Sequence, residues 1–217
     1  MTRKQLLQLI EDGENVTVEF KQRFSTEEKI AKEMIAFANT KGGIIIFGVE
    51  DDGKIRGVLS EKGEAELVKT AAERYCEPPV NYKIEFINIG PDELVVVHIE
   101  ESETKPHRIQ DYETKLDLNV AQVYVRVNEK SVMASKEMIK ILQTRTKGST
   151  LVNYTISKNE KIVFELLDRN ENISVKQLAE KANISNRRAS RTLINMVRAN
   201  LLMIHHKDNG EEYFTLA

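Results

Sequence analysis

The run Gly43-Ile-Ile-Ile-Phe-Gly-Val49 constrains this chain more than any other segment. It is dominated by β-branched residues and lacks the alternation of a half-exposed strand, so it predicts a strand covered on both faces. Such a strand needs layers above and below it, which points to an α/β sandwich rather than a helical bundle or a one-sided sheet. At about a third of the roughly 20 residues needed to cross a bilayer, it is too short to span a membrane.

The flanking segments supply the layers. Residues 2–11 predict a short helix with Leu6, Leu7, Leu9 and Ile10 on one side, stopped by Gly13. Basic residues precede those leucines, but Glu11 and Asp12 follow at once and no small-residue cleavage site appears. The segment therefore reads as a helix of the mature protein, not a signal. Residues 16–21 alternate, with Val16, Val18 and Phe20 on one face and Thr17, Glu19 and Lys21 on the other. Ser25 and Glu28 form a capping-box pattern before a helix carrying Ile30, Met34 and Phe37, which ends near Thr40 with Gly42 as a left-handed cap. Asp52-Gly53 predicts a hairpin into residues 54–58, at the centre of the sheet. A helix from Ser60 to about Tyr75, a second hairpin over 80–89 and 94–99, a strand at 123–127 and a helix capped by Ser135 follow. The whole predicts a mixed-sheet α/β sandwich.

The polar stretch 144–150 has no apolar period. The expected organisation is a domain over 1–145, a linker over 146–153 and a smaller domain over 154–217. Four Pro, 10 Gly and 30% charged residues suit a folded protein and exclude a collagen-like or largely disordered one. The single Cys76 allows neither an internal disulfide nor a Cys-rich zinc site, which predicts a reducing, cytoplasmic setting.

In the smaller domain, helices are expected over 159–169, 175–182 and 186–199, with Ala189, Leu193, Met196 and Val197 facing inward on the last. Asn183 and Asn200 stand where the chain needs positive φ, and residues 201–206 and 211–216 form a hairpin around Asn209-Gly210. The stretch from Leu178 to Ile204 resembles winged-helix transcription regulators, with Asn183 and Asn200 in place of that family's usual glycines. The resemblance implies a winged helix-turn-helix whose recognition helix offers Asn186, Arg187, Arg188, Ser190 and Arg191 to the major groove of double-stranded DNA. The alternative is a dimerisation or protein-docking module whose arginines are merely solvated. Residues 1–153 carry net charge −4 and residues 154–217 net +2, so the useful signal is the local cluster of arginines. His205 and His206 point to opposite faces of a strand and make a poor metal pair.

The segments Glu14-x4-Glu19-Phe20-Lys21, Lys32-Glu33-x3-Phe37-Ala38-Asn39-Thr40 and Gly42-Gly43-x3-Phe47-Gly48-Val49-Glu50-Asp51-Asp52-Gly53 resemble the Schlafen AlbA domain. Lys105-Pro106-His107, Val123-Tyr-Val-Arg126 and Ser135 look like its later landmarks, so the resemblance covers about residues 1 to 145. It implies a nucleic-acid-associated α/β domain placed before a winged-helix tail in a transcriptional regulator, and a homodimer is expected because helix-turn-helix readers commonly pair half-sites. RNA is an additional candidate partner. Nuclease relatives imply an alternative, a metal site of Glu14, Glu19 and one of Glu50, Asp51 or Asp52, taken as Asp51. It would hold Mg²⁺ or Mn²⁺ with Lys21 beside it.

Three bland readings stand against the metal site: Glu14 as a loop residue, Glu19 and Lys21 as a same-face ion pair, and 50–52 as a solvated turn. The chain also lacks the Cys/His zinc site of those nucleases, and one domain copy cannot make their two-lobed clamp without dimerising. No Gly-x4-Gly-Lys-Ser/Thr phosphate loop is present, so neither an ATPase nor a helicase is expected, and the balance is against an enzyme. Lys105, His107, Arg108 and Arg126 are the candidate nucleic-acid contacts of the larger domain, although its net charge argues against a broad basic surface.

Overall fold

The run that starts at Gly43 lies inside a sheet, with a neighbouring strand on each side. The computed structural model describes residues 1–146, 154–207, 209 and 211–217. All of the expected linker after residue 146, and Gly210 of the expected Asn-Gly turn, lie outside the described residues. The chain divides into two compact units, Met1–Met133 and Ala134–Ala217.

In the first unit, helix α1 (Arg3–Asp12) leads to strand β1 (Val18–Lys21), helix α2 (Glu27–Asn39) and strand β2 (Gly43–Phe47). Helix α3 (Glu61–Arg74) is followed by the short strand β3 (Cys76–Glu77), the hairpin β4 (Tyr82–Ile89) and β5 (Asp92–Ile99), the short strand β6 (Arg108–Ile109) and a last hairpin, β7 (Tyr124–Val127) and β8 (Lys130–Met133). The main sheet has the order β1-β2-β5-β4. It is mixed: β1 runs parallel to β2, and the other two pairs are antiparallel.

Strand alternation sends Ile45 and Phe47 to one face, where they pack with Ile30, Met34 and Phe37 of α2 and Val68 and Ala71 of α3. Ile46 goes to the other, against Leu6 and Ile10 of α1. The double covering expected of this strand is thus present. Val18 and Phe20 of β1 join the α1 face, and the same alternation turns Glu19 and Lys21 toward α2. That turn sets up the polar network described below.

Three local expectations differ from the structure. Residues 54–58 are not a central strand: the chain leaves β2 at Gly48 (φ +96°), and only an isolated bridge between Val49 and Ile55 remains of the expected hairpin. The N–H groups of Arg56 and Gly57 both donate to the Gly48 carbonyl, and the place beside β2 goes to β5. The cap of α2 is Thr26, whose hydroxyl accepts from the Lys29 N–H at 3.3 Å, one residue later than expected. Strand β8 was not expected; Asn128 (φ +52°) makes the tight turn that folds it back on β7.

The second unit holds helices α4 (Lys136–Thr146), α5 (Lys158–Leu167), α6 (Val175–Ala182) and α7 (Asn186–Arg198), followed by the antiparallel hairpin β9 (Leu202–His206) and β10 (Glu212–Leu216). Its core combines Ile141, Val163, Leu178, Leu193, Met196 and Phe214. The division between units therefore falls earlier than the expected domain boundary, and α4 belongs with the tail. Asn183 (φ +52°) and Asn200 (φ +55°) both adopt the left-handed conformation. Each ends its helix with a bond spanning five residues, Ile184 N–H to Ala179 O at 3.0 Å and Leu201 N–H to Met196 O at 2.9 Å. Among the described residues no helix is long and apolar enough to cross a membrane.

Candidate nucleic-acid interface

Helix α7 begins under Ser185, whose hydroxyl accepts from the Arg188 N–H at 3.3 Å. Ala189, Leu193, Met196 and Val197 recur at helical spacing and are buried, so Asn186, Arg187, Arg188 and Arg191 are left exposed on the other side. The first turn contains no acidic residue. Guanidinium groups at the positive end of a helix macrodipole, with Arg187 and Arg191 one turn apart, cost the isolated helix about a few tenths of a kcal/mol each. An anionic partner reverses that penalty, because phosphate is stabilised at a helix N-terminus. Asn195, one turn beyond Arg191, extends this stripe half-buried. Its i+4 spacing from Arg191 is the signal that marks it in the sequence.

Ser190 is a correction. It is 3% exposed, and its hydroxyl donates to Glu137 Oε1 of α4 at 2.6 Å, so it fastens α7 to α4 and does not face solvent. The β9–β10 hairpin adds little positive charge, because Lys207 lies 3.4 Å from Glu211. Deeper in the hairpin, His206 stands opposite Glu212, Nε2 to Oε1 3.4 Å, with both side chains buried. Burial pushes the imidazole down to about 4 and the carboxyl up to about 7, Glu137 adding to the latter. The Ser135 hydroxyl donates to that carboxyl.

The basic residues expected to touch nucleic acid in the larger unit are buried in internal contacts. Arg126, whose side chain is 0% exposed, donates to Glu19 Oε2 at 2.8 Å, Glu33 Oε2 at 3.2 Å and the Asn15 carbonyl at 2.8 Å, and stacks on the Phe37 ring 4.6 Å away. His107 is 2% exposed; its Nδ1–H donates to the Pro78 carbonyl at 2.7 Å and its Nε2 accepts from Ser102 Oγ at 2.7 Å. Burial lowers its pKa from the usual histidine value, which suits this neutral arrangement. Arg108 grips Asp111, with Nη2 to Oδ1 at 3.0 Å, and Lys105 pairs with Glu101 and donates to the Thr40 carbonyl. Asn39 gathers these pieces, donating to the carbonyls of His107 and Tyr124 and accepting from the His107 N–H. The expected basic patch is instead a structural knot.

The acidic candidates lie around the start of β1. Glu14 Oε1 accepts from the Phe20 N–H at 2.7 Å. Burial raises its carboxyl above the usual range, and the carboxylates of Glu19 and Asp51 push the same way. The three groups are thus electrostatic neighbours. Both oxygens of Glu19 are already neutralised, one by Lys21 and one by Arg126, while Asp51 is exposed. Among the described residues no three His, Cys, Asp or Glu side chains stand close enough to hold a metal ion. A divalent cation needs carboxylate oxygens free to replace its water. With both Glu19 oxygens occupied, this donor set does not fit Mg²⁺ or Mn²⁺.

A sequence-family profile described as "Schlafen, AlbA_2" matches residues 14–135. Among solved structures, the N-terminal domain of a RecG-related protein from Nitrosomonas europaea is similar over 54% of this chain and 84% of that one, with 21% identity and a TM-score of 0.43. The DIP2311 protein from Corynebacterium diphtheriae is similar over 55% of this chain but 26% of its own, with 18% identity and a TM-score of 0.40.

Proposed function

We propose a function for a chain that belongs to the Schlafen, AlbA_2 family: it binds nucleic acid, and its second unit reads duplex DNA as a winged helix-turn-helix in a homodimeric transcriptional regulator. The observation that carries this reading is the start of α7, where Arg187, Arg188 and Arg191 are exposed beside Asn186 while the opposite side of the helix is buried. Helices α5, α6 and α7 followed by β9 and β10 have the order of a winged helix, with α7 in the recognition position. Guanidinium groups there can pair bidentately with guanine or anchor phosphate. The α/β unit, which carries the family match, supplies dimerisation, sensing or additional nucleic-acid contact, and Lys105, His107, Arg108 and Arg126 add nothing to such a contact because they are buried.

Anisotropy titrations against fragmented genomic DNA test this reading in the wild type and in Arg187→Ala/Arg188→Ala/Arg191→Ala. Salt-dependent binding whose slope falls by roughly 2 to 3 in the variant supports it. Equal affinity and slope would refute it. A metal-dependent nuclease acting through Glu14, Glu19 and Asp51 is the second reading; the electrostatic neighbourhood of the three carboxylates speaks for it, and the pairing of both Glu19 oxygens with Lys21 and Arg126 speaks against it. Incubating RNA and DNA with Mn²⁺ decides it: cleavage abolished by Glu14→Ala/Glu19→Ala would establish the nuclease, and the expected result is none.

A further inference from the structure

Strand β4 ends the main sheet. All 8 of its residues pair with β5, and among the described residues nothing pairs with its other edge. A long open edge is a template for another strand. Its side chains alternate in a particular way. Lys83 and Glu85 project on the face that also carries Ile87, while Tyr82, Ile84 and Phe86 project on the other. The Lys83 side chain is 75% exposed, and Phe86, a large apolar ring, is 52% exposed.

We propose that the β4 edge is a self-complementary docking surface for a second copy of this chain, which pairs antiparallel about an axis through Ile84 and joins the two sheets. In that register Lys83 of each copy stands directly opposite Glu85 of the other, twice, on one face. Tyr82 stands opposite Phe86, twice, on the other, and Ile84 meets itself. Directly opposed residues in an antiparallel pair are close enough for each of these to count. The pattern also fixes the register. An axis through Glu85 sets Glu85 against itself, and an axis through Lys83 sets Lys83 against itself. Within the chain Lys83 lies 2.7 Å from Glu100, and Glu85 takes the Met1 amine and lies 3.2 Å from His98 Nε2. The docked copy extends this network, since the cross-strand pair adds one opposite charge to each of Lys83 and Glu85. The proposal stands independently of DNA binding and names the surface of the dimer that the functional reading invokes.

Charge exchange tests it, with sedimentation velocity of the full chain over a concentration series and circular dichroism to show that each variant is folded. The wild type is expected to dimerise with increasing concentration. Lys83→Glu and Glu85→Lys should each weaken self-association by roughly tenfold or more, because both cross-strand pairs become repulsive. The double exchange should restore it, and mixing the two single variants should yield a one-to-one heterodimer. A wild type that stays monomeric throughout, or a dimer indifferent to both single changes, would overturn the proposal. In either case the arginine test of DNA binding stands separately.

Discussion

In Met1–Met133, the side chain of Arg126 lies between Glu19 and Glu33 with no exposed surface; in Ala134–Ala217, Arg187, Arg188 and Arg191 stand in solvent on a helix whose first turn holds no acid. The residue type is the same and the consequence opposite. A guanidinium enclosed by carboxylates is already neutralised and acts as a fastener, while an unneutralised group at a helix start keeps its charge for a partner. What separates the two regions is whether carboxylates distant in sequence come to meet the cation.

The largest effect expected from breaking this contrast is at Arg126. Arg126→Ala leaves Glu19 and Glu33 without their shared cation and should cost about 3–5 kcal/mol of unfolding free energy, read by urea denaturation. The DNA affinity of the fraction that remains folded should not change. Next comes the triple arginine variant, expected to lose about 3 kcal/mol of duplex binding while its thermal midpoint stays equal or rises slightly. A fall in both binding and stability would erase the distinction between fastener and contact.

A smaller effect concerns the buried pair of the hairpin. Glu212 is pushed up to about 7 from 4.5, so between those values the folded chain holds the extra proton and stability falls as pH rises. His206 is pushed down to about 4 from 6.5, so between those values the unfolded chain holds the extra proton and stability rises with pH. The slopes oppose each other, and the wild type should be nearly flat from about pH 4.5 to 6.5 in this contribution. His206→Gln leaves Glu212 alone. Its stability should drop by about 2 kcal/mol between pH 4.5 and 7 relative to wild type, and Glu212→Gln should show the opposite slope. The smallest effect is at Ser190: removing the hydroxyl that serves Glu137 should cost about 1 kcal/mol in denaturation and leave DNA affinity unaltered, as befits a residue that faces α4.

Much of the local structure was legible because its causes are local. The β-branched run at Gly43, the left-handed positions of Asn183 and Asn200 and the apolar stripe of α7 each follow from a few neighbouring residues. Arg126 was not legible, since it meets Glu19 across 107 positions, and neither was the anchoring of the His107 backbone N–H on Asn39 across 68. Lys105 with Glu101 and Arg108 with Asp111 have their acids within one helical turn of sequence, and those pairings were there to be read. Ser190 deceived as Arg126 did, its partner Glu137 being 53 positions away. The hairpin expected after β2 failed on a different ground. Asp52-Gly53 makes the turn, but the break at Gly48 (φ +96°) comes before a second strand can register.

The bridge from β7 through Arg126 to β1 also bears on the order in which this protein can complete its folding during synthesis. Its anion arrives near the beginning of the first unit and its cation near the end, with Ser131 of β8 donating to Glu33 still later. A nascent chain that has emerged only as far as β5 would have its sheet strands in hand, yet would have to keep Glu19 hydrated. Closure waits for the last hairpin, and a fragment cut short before Tyr124 should remain loosely packed along the side of β1 that faces α2.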